Sequence, residues 1–129
     1  MVSIFQFTEY RKYLQALFEQ KKAQDRDYSY RKMARQCSFS SPNFLIHVID
    51  GKRNLGAVSL KKVIEGLGMK KKEGEYFSYL VYFDQAKTTV EKNYYFGLIA
   101  SFRSRSNVTR LNVDQFQYYS NWYNLVIRE

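Results

Sequence analysis

The sequence predicts an all-α protein, a compact domain of several packed helices. Its 129 residues include one proline and six glycines, too few for a fold built from many turns and short strands. Apolar side chains recur every three or four residues in several segments, which is the period of an α-helix. Hydrophobic residues make up 45% of the chain and aromatic residues 18%, so the helices have enough apolar surface for a common core.

The first predicted helix covers residues 7–24. Thr8 is a candidate N-terminal cap. The apolar positions recur at helical spacing and are Tyr10, Tyr13, Leu14, Leu17 and Phe18. Basic residues occupy the other faces, namely Arg11, Lys12, Lys21 and Lys22. We interpret this helix mainly as a packing element, with bracing of the segment that follows or a phosphate contact as the alternative.

Residues 29–67 are predicted to form three short helices joined by tight turns. Ser29 is suited to cap the first helix and Ser40 or Ser41 the second, because a hydroxyl oxygen can accept from a free N–H at a helix start. Pro42 fits the first position of the second helix, where an N–H has no partner. Gly51 can adopt the left-handed conformation that ends it. The predicted helices are Tyr30–Gln36, Pro42–Ile49 and Ala57–Leu67.

Two short helices joined by a turn form a helix-turn-helix unit, whose second helix enters the major groove of DNA. The turn here is Cys37–Ser40. On this hypothesis the helix Pro42–Ile49 reads bases from its first turn and its exposed face, and nearby cations contact phosphates. The candidate base-reading residues are Ser41, Asn43 and His47. The candidate phosphate-binding residues are Arg31, Lys32, Arg35, Lys52, Arg53 and Asn54.

Other side chains of this segment are expected to face the core. They are Met33, Ala34, Cys37, Leu45, Val48, Val58, Leu60, Val63, Ile64 and Leu67. Phe44, Ile46 and Ile49 are then left over, which is more apolar surface than a helix in a DNA groove needs. Three explanations stay open: the fifth helix covers some of them, one contacts a thymine methyl group, or this face binds protein.

Two aromatic helices are predicted next. The first covers residues 73–86, with the apolar positions Tyr76, Phe77, Leu80, Val81 and Phe83. The second runs from a cap at Thr88 or Thr89, with Glu91 completing the capping pattern, to about Phe102. Its apolar positions are Tyr94, Tyr95, Leu98, Ile99 and Phe102. For the helix of residues 73–86, the helical spacing favours core packing or a dimer surface over stacking on single-stranded bases.

The C-terminal part begins with a predicted linker, Arg103–Asn107, which is polar and turn-prone. The tail that follows fits a helical stripe, although Tyr118 and Tyr119 are also compatible with an extended segment. The stripe consists of Val113, Phe116, Tyr119, Trp122, Tyr123, Val126 and Ile127. We expect a helix-turn-helix region with its bracing helix in residues 1–72 and an aromatic helical extension in 73–106. Residues 107–129 would then be a linker and the start of a truncated C-terminal domain.

The net charge of +9 is unevenly distributed. Residues 1–72 contain 15 Lys and Arg against 6 Asp and Glu, whereas residues 73–129 contain 6 of each. The entire excess therefore lies in the part that carries the predicted helix-turn-helix. A basic region of this kind favours a polyanion as partner, with a solvated basic face as the alternative.

Several other classes of protein are disfavoured. The single Cys37 cannot form an internal disulfide, no apolar run approaches 18 residues, and the N-terminus lacks the features of a signal peptide. We therefore expect a cytoplasmic protein. His47 and Cys37 have no partners at catalytic or metal-binding spacing, and no phosphate-binding glycine loop is present. We expect neither enzymatic activity nor a cofactor or metal.

The predicted helix-turn-helix resembles the DNA-binding domain of phage-repressor-like regulators. The matching residues are Met33-Ala34, Leu45, Val48, Gly51-Lys52-Arg53-Asn54, and Leu60, Ile64 and Leu67-Gly68. The sequence departs from that pattern at Ser38, where the turn normally carries glycine, and the interval from Ser38 to Gly51 is one residue longer than usual.

Most of the chain is more specifically similar to a bacterial family that joins such a domain to a C-terminal domain of unknown function. The similarity is carried by Tyr28-Ser29-Tyr30-Arg31, Phe39-Ser40-Ser41-Pro42, Val48 to Leu55, Glu75-Tyr76-Phe77 and Tyr118 to Tyr123. The resemblance implies a transcriptional regulator with double-stranded DNA as partner, and members of the family extend well past the end of this chain.

The first hypothesis is therefore a sequence-specific DNA-binding regulator, with a homodimer through the aromatic C-terminal helices as a candidate assembly. The alternative is a helical protein-interaction or scaffold module that offers Phe44, Ile46 and Ile49 to a partner. A third, weaker hypothesis is non-specific or RNA binding through charge and aromatic side chains.

Overall fold

Residues 3–105 are described by the computed structural model, and this part of the chain is all-α, as predicted. It contains six α-helices and one short 3₁₀ helix, and no strand occurs within it. The 3₁₀ helix is Ile4–Gln6, and the α-helices are α1 (Tyr10–Gln24), α2 (Tyr30–Gln36), α3 (Phe44–Ile49), α4 (Ala57–Gly66), α5 (Lys71–Gln85) and α6 (Thr89–Arg105). The predictions for the tail after residue 105 lie outside the described residues.

Several helix ends agree with the sequence prediction. The N–H of Lys32 donates to the Ser29 hydroxyl (3.2 Å), so Ser29 caps α2 as predicted. At the start of α6 the N–H of Glu91 donates to the Thr88 hydroxyl (3.1 Å), which in turn donates to the Glu91 carboxylate (3.1 Å). Thr88 therefore caps α6 as predicted, although the Glu91 carboxylate accepts from the Thr88 hydroxyl and not from its backbone N–H as in a capping box.

Helices α2, α3 and α4 all end in the same backbone motif. In each, the residue after the C-cap has a left-handed backbone, and the N–H groups that follow return to carbonyls of the last turn, which defines a Schellman motif. The left-handed residues are Ser38 (φ 62), Gly51 (φ 85) and Gly68 (φ 70). For α2, Ser38 N–H donates to Arg35 O (3.0 Å) and Phe39 N–H to Ala34 O (2.9 Å). Ser38 therefore adopts a conformation that glycine takes more easily.

Some predicted helix limits were wrong. Helix α3 begins at Phe44, so Pro42 lies before it, and its N-cap is Asn43 rather than Ser40 or Ser41. Helix α1 is capped at Glu9 without a side-chain bond, so Thr8 is not its cap. Helix α5 begins at Lys71, where the N–H of the preceding Lys70 donates to the Glu73 carboxylate (2.8 Å).

One hydrophobic core includes residues from all six helices and the 3₁₀ helix. Its largest fully buried side chains include Tyr10, Tyr76 and Phe77, and the rings of Tyr10 and Phe77 meet edge to face with their centroids 6.0 Å apart. Helix α5 packs mainly against α6, and also against α1, α4 and the 3₁₀ helix. The predicted core positions of α2 and α3 and all five of α5 are buried.

Two expectations, the burial of Val58 and the linker at Arg103, were wrong. Val58 is 71% exposed, and Tyr94, on the predicted apolar face of α6, is 63% exposed. The faces of α4 and α6 that carry them meet no other described helix. Arg103 is only 5% exposed and lies inside α6, not in a linker. Its guanidinium donates to Phe5 O (2.9 Å) and to the Tyr76 hydroxyl (3.0 Å), so it ties the end of α6 to the start of the chain.

Helices α2 and α4 come into backbone contact at Gly66. A Cβ atom placed there would lie 2.5 Å from Cys37 Cα and 2.6 Å from Gln36 O. Such distances leave no room for a side chain, so glycine at this position permits the approach of the two helix ends.

Candidate nucleic-acid interface

Helix α2 divides sharply into a buried and an exposed face. Met33 and Ala34 are buried, whereas Arg31, Lys32 and Arg35 are exposed. None of these three cations forms an ion pair with another described residue. All three predicted phosphate-binding residues of α2 are therefore accessible to an anionic partner.

The segment that leads into α3 carries two of the predicted base-reading residues. Ser41 and Asn43 are both exposed, and the Asn43 side chain makes no capping bond with α3. The backbone carbonyl of Asn43 accepts from the N–H of His47 (3.1 Å), and His47 is half-buried. Asn43 therefore sits at the start of the helix with its amide free of local hydrogen bonds, and His47 lies one turn further along.

The loop after α3 places Lys52 and Arg53 at the surface. The N–H groups of both residues donate to His47 O, at 2.9 Å and 3.2 Å, and Gly51 supplies the left-handed turn before them. Both side chains are exposed. The loop is thus ordered by its own backbone bonds, while its two cations project from the end of α3.

Arg11 of α1 holds this loop in place. Its guanidinium donates to Val48 O at the end of α3, to Arg53 O (2.9 Å) and to the Asn54 side-chain oxygen (2.8 Å). It also forms an ion pair with Asp84 of α5 (3.5 Å). These contacts are consistent with the alternative interpretation of α1 as a bracing helix. The side-chain oxygen of Asn54, a predicted phosphate-binding residue, accepts a hydrogen bond from Arg11.

A second connection joins the same loop to α5. The Gln85 side chain pairs with the backbone of Leu55, accepting from its N–H and donating to its carbonyl, both at 2.9 Å. The Tyr10 hydroxyl donates to the same Gln85 oxygen (3.1 Å). The part of the loop that leads into α4 is therefore held by side chains from α1 and α5.

A cation–aromatic cluster formed by Phe39, Phe44, Arg53 and Lys62 lies beside the loop. The rings of Phe39 and Phe44 have centroids 4.6 Å apart, Arg53 lies 5.5 Å from the Phe44 centroid and Lys62 lies 5.5 Å from that of Phe39. Cations over aromatic faces are weakly attracted to the rings. The cluster means that Phe44 is covered by Phe39 and Arg53.

Less of the apolar surface of α3 is left uncovered than the sequence predicted. Phe44 and Ile49 pack against the core, and Ile46 is half-exposed. Close by, an open cavity of about 310 Å³ is lined by Arg31, Arg35, Phe39, Ser40 and Pro42. Two guanidinium groups and a serine around one recess suit an anionic group with hydrogen-bond acceptors.

Burial determines the ionisation of the one cysteine near this surface. Desolvation raises the pKa of the Cys37 thiol from 9.0 to about 11, against a small opposing effect of Lys21. The thiol stays protonated at neutral pH and is a poor nucleophile. Within residues 3–105, no three side chains from His, Cys, Asp and Glu come together as a metal ion would require. No helix in this range is long and apolar enough to span a membrane.

Comparison of the chain with protein-family models, curated proteins and solved structures gives no match. The resemblance drawn from the sequence, including the helix-turn-helix assignment, therefore stays a prediction.

The sequence did not reveal the residues that position this surface. Arg11 was placed among the basic residues outside the apolar stripe of α1, and neither Gln85 nor Lys62 carried a functional assignment. Lys62 donates to Ser38 O (3.4 Å), 24 residues earlier. Gln85 binds Leu55, 30 residues earlier, and Arg11 binds Asn54, 43 residues later. No local pattern marks such contacts, although an arginine close to an apolar helix face is a usable signal, because its long stem can pack while its head reaches a neighbour.

Proposed function

We propose that this chain is a DNA-binding transcriptional regulator that places α3 in the major groove and the cations of α2 and the α3–α4 loop on phosphates. The observation that carries the proposal is the set of exposed cations around α3. Arg31, Lys32, Arg35, Lys52 and Arg53 are all exposed and belong to the part of the chain that holds the whole excess of +9. Clustered cations beside a short helix with exposed polar residues suit a duplex with its two phosphate strands.

Within this proposal the residues have distinct roles. Asn43 and Ser41 would contact base edges from the start of α3, since an amide can pair bidentately with adenine. His47 would contact the groove one turn later. The cations would fix the position of the protein on the backbone, and Arg11 would position Lys52 and Arg53 by holding the loop that carries them.

The test is a fluorescence-polarisation titration of labelled duplexes, selected beforehand from random DNA, at two salt concentrations. Neutralising about five phosphates gives a slope of about −4.5 in log affinity against log salt, or a loss of several hundred-fold between about 50 and about 200 mM. Sequence-dependent affinity with a slope of this kind supports the proposal. Salt-dependent binding without sequence preference would instead indicate non-specific or RNA binding.

Two substitutions separate the proposed roles. Lys52→Ala should weaken binding to all duplexes alike and reduce the salt slope by about 1. Asn43→Ala should reduce the discrimination between selected and mismatched sites, by about 1–3 kcal/mol at the contacted base pair. Lys87→Ala is a matched control, because Lys87 is also exposed but lies in the electrically neutral part of the chain. An Asn43→Ala protein with unchanged affinity and preference would refute the groove assignment.

A homodimer through α5 and α6 is part of the proposal, since a dimer would read two half-sites about one helical turn apart. Tyr82, Val90 and Tyr94 are exposed on these helices, at 39%, 79% and 63%. Analytical ultracentrifugation of the wild type and of Tyr94→Lys tests it. If the wild type were monomeric at all concentrations, both free and bound to DNA, the proposed dimer would be refuted. The proposed contacts of α3 with DNA would not be affected.

If the protein bound no nucleic acid at low salt, the hypothesis of a protein-interaction or scaffold module would be the one that remains. That alternative depended on Phe44, Ile46 and Ile49 as a docking face, and two of them pack against the core. We therefore favour DNA.

A further inference from the structure

A recess beside the turn between α2 and α3 brings two arginines and a serine together. It has a volume of about 310 Å³ and is lined by Arg31, Arg35, Phe39, Ser40 and Pro42. Arg31 and Arg35 are four residues apart in α2, on the same face of the helix, and both are exposed. Among residues 3–105, no carboxylate lines the recess and neither arginine forms an ion pair. The recess therefore has two positive charges without a counter-charge from this part of the chain.

Ser40 contributes a hydroxyl group to this recess. It is exposed, and it follows the turn in which the N–H groups of Ser38 and Phe39 donate to carbonyls of α2. Neither the backbone nor the side chain of Ser40 hydrogen-bonds with another residue of the described range. Residues 41–43, which follow, also lie outside any helix. A modifying enzyme can therefore reach the Ser40 hydroxyl without unfolding a helix.

The charge around the recess suits a phosphate group. Residues 28–49 contain three cations, Arg31, Lys32 and Arg35, and no Asp or Glu. A phosphoserine has a charge of about −1.5 to −2 at neutral pH and three strong acceptor oxygens, and guanidinium groups bind phosphate bidentately. A phosphate attached to Ser40 is already at a high effective concentration beside the recess, so two exposed arginines suffice to hold it.

We propose that Ser40 is a phosphorylation site and that its phosphate is bound by Arg31 and Arg35 of the same chain. A protein kinase catalyses the step, and a nucleoside triphosphate supplies the phosphoryl group. The Ser40 hydroxyl oxygen forms a bond to the γ-phosphorus, and the bond from that phosphorus to the β,γ-bridging oxygen breaks. The nucleoside diphosphate leaves, and the hydroxyl proton passes to a base of the kinase.

The consequence for DNA rests on the proposed function. Arg31 and Arg35 are two of the five exposed cations proposed to contact DNA phosphates, and the phosphate on Ser40 would occupy both. Losing two contacts reduces the steepness of the salt dependence by about 1.8 and weakens binding by a factor of about 30 at about 150 mM salt. Phosphorylation of Ser40 would therefore release the protein from DNA.

The binding of the phosphate by the two arginines is tested without DNA, by ³¹P NMR of the full 129-residue chain with phosphoserine incorporated at position 40. The second ionisation of phosphoserine occurs near neutral pH and shifts its ³¹P resonance. Two guanidinium groups favour the dianion, so the pKa of the phosphate should be about 1 pH unit lower than in the variant Arg31→Gln/Arg35→Gln.

Lys32→Gln is the matched control for this measurement. Lys32 is also exposed on α2 but does not line the recess. Its replacement should leave the pKa of the phosphate close to the value in the parent chain. Far-UV circular dichroism establishes that all variants are folded. A pKa that is the same with and without the two arginines would overturn the proposal.

The effect on DNA is measured by the fluorescence-polarisation titration described above, with the unmodified and the phosphorylated chain. The phosphorylated chain should bind about 30-fold more weakly at about 150 mM salt, with a slope of about −2.7 instead of about −4.5. If the unmodified chain binds DNA and phosphorylation changes neither value, the role of Ser40 is refuted and the proposed function stands. If the unmodified chain binds no DNA, the proposed function fails, while the NMR result still decides whether the recess binds the phosphate.

Modification in the cell is tested by mass spectrometry of the protein isolated from the cells that produce it. Trypsin cleaves after Arg35 and Lys52, and the resulting peptide of residues 36–52 contains Ser38, Ser40 and Ser41. Fragmentation of this peptide assigns the phosphate to one of the three serines. Phosphate on Ser40 supports the proposal. An unmodified peptide from both growing and stationary cells, or phosphate only on Ser38 or Ser41, would overturn it.

Discussion

The α5–α6 hairpin and the α2–α3 segment are stabilised in different ways. Helices α5 and α6 have 15 and 17 residues, whereas α2 and α3 have seven and six. Helices as short as α2 and α3 are not stable alone in water, so they depend on tertiary contacts and on their end motifs. The hairpin instead has a long aromatic face to bury, with Tyr76 and Phe77 fully inside the core.

The two arginines that connect these regions to the rest of the chain show the same contrast. Arg103 of the hairpin is buried and hydrogen-bonds Phe5 and Tyr76, whereas Arg11 is half-exposed and holds the loop after α3. The remaining cations of the α2–α3 segment make no ion pair with a described residue. In the hairpin a cation is buried and hydrogen-bonded within the fold, whereas the cations around α3 are exposed, namely Arg31, Lys32, Arg35, Lys52 and Arg53.

Alkaline pH is expected to have the largest effect on the stability of the fold, and it acts mostly on the α1–α2 part. Burial raises the pKa of Tyr10, Tyr13 and Tyr28 from 10.0 to about 12, and that of Cys37 from 9.0 to about 11. Above pH 9 to 10 the unfolded chain loses these protons while the folded protein keeps them. The free energy of unfolding should therefore be insensitive to these groups below pH 9 and fall as the pH rises towards 12.

Urea titrations at a series of pH values, combined with tyrosinate absorbance, measure this effect. Stability that stays constant up to pH 12 would show that these side chains are not desolvated in the folded state. Tyr28→Phe should reduce the alkaline loss, since it removes one of the titrating groups.

Replacement of the buried arginine should be the most damaging substitution in the hairpin. Arg103→Met leaves the Phe5 carbonyl and the Tyr76 hydroxyl without their buried donor, and we expect a loss of about 2–4 kcal/mol in the free energy of unfolding. Ser104→Ala, at the exposed neighbouring position, should change it by less than about 0.5 kcal/mol. Chemical denaturation measures both. If Arg103→Met were as stable as Ser104→Ala, the buried hydrogen bonds of Arg103 would not stabilise the hairpin.

Two glycine substitutions test how tightly the two regions are packed. Gly66→Ala would place a Cβ against the backbone of Cys37 and should cost about 1–3 kcal/mol. Gly97→Ala, in α6 with open space around it, should stabilise by about 0.5–1 kcal/mol because alanine favours the helix. Thermal denaturation of the two variants and the wild type measures both effects as shifts of the midpoint temperature. A tolerated Gly66→Ala would mean that α2 and α4 can separate easily.

A small effect is also expected at the ends of α2 and α3, where one motif occurs with two different residues. Ser38→Gly should stabilise the protein by about 1 kcal/mol, because Ser38 has the left-handed backbone that glycine adopts without strain. Gly51→Ser should destabilise it by a similar amount. Denaturant midpoints of the two variants should therefore move in opposite directions. A shift of both in the same direction would contradict the assignment of equivalent end motifs.

Much of the fold could be predicted from short stretches of sequence. The limits of α2, the cap at Ser29, the left-handed Gly51 and the buried faces of α2, α3 and α5 were all predicted, because helix period and end signals depend on neighbours along the chain. The exposure of Arg31, Lys32, Arg35, Lys52 and Arg53 follows from the same periodicity and from the loop position of the last two. That these residues contact DNA stays a prediction.

Only the tertiary structure decided which face of a helix meets another helix and which polar group is drawn into the core. Val58 and Tyr94 are exposed although they lie at apolar helical positions, because no described segment packs over them. Arg103 is buried although its neighbours suggest a linker, because Phe5, 98 residues earlier, offers it a carbonyl. Arg11 holds the α3–α4 loop because this loop, distant in the sequence, offers it the Arg53 carbonyl and the Asn54 side-chain oxygen. Periodicity is a property of adjacent residues, whereas burial and hydrogen bonding across the fold depend on segments that meet only once the chain has folded.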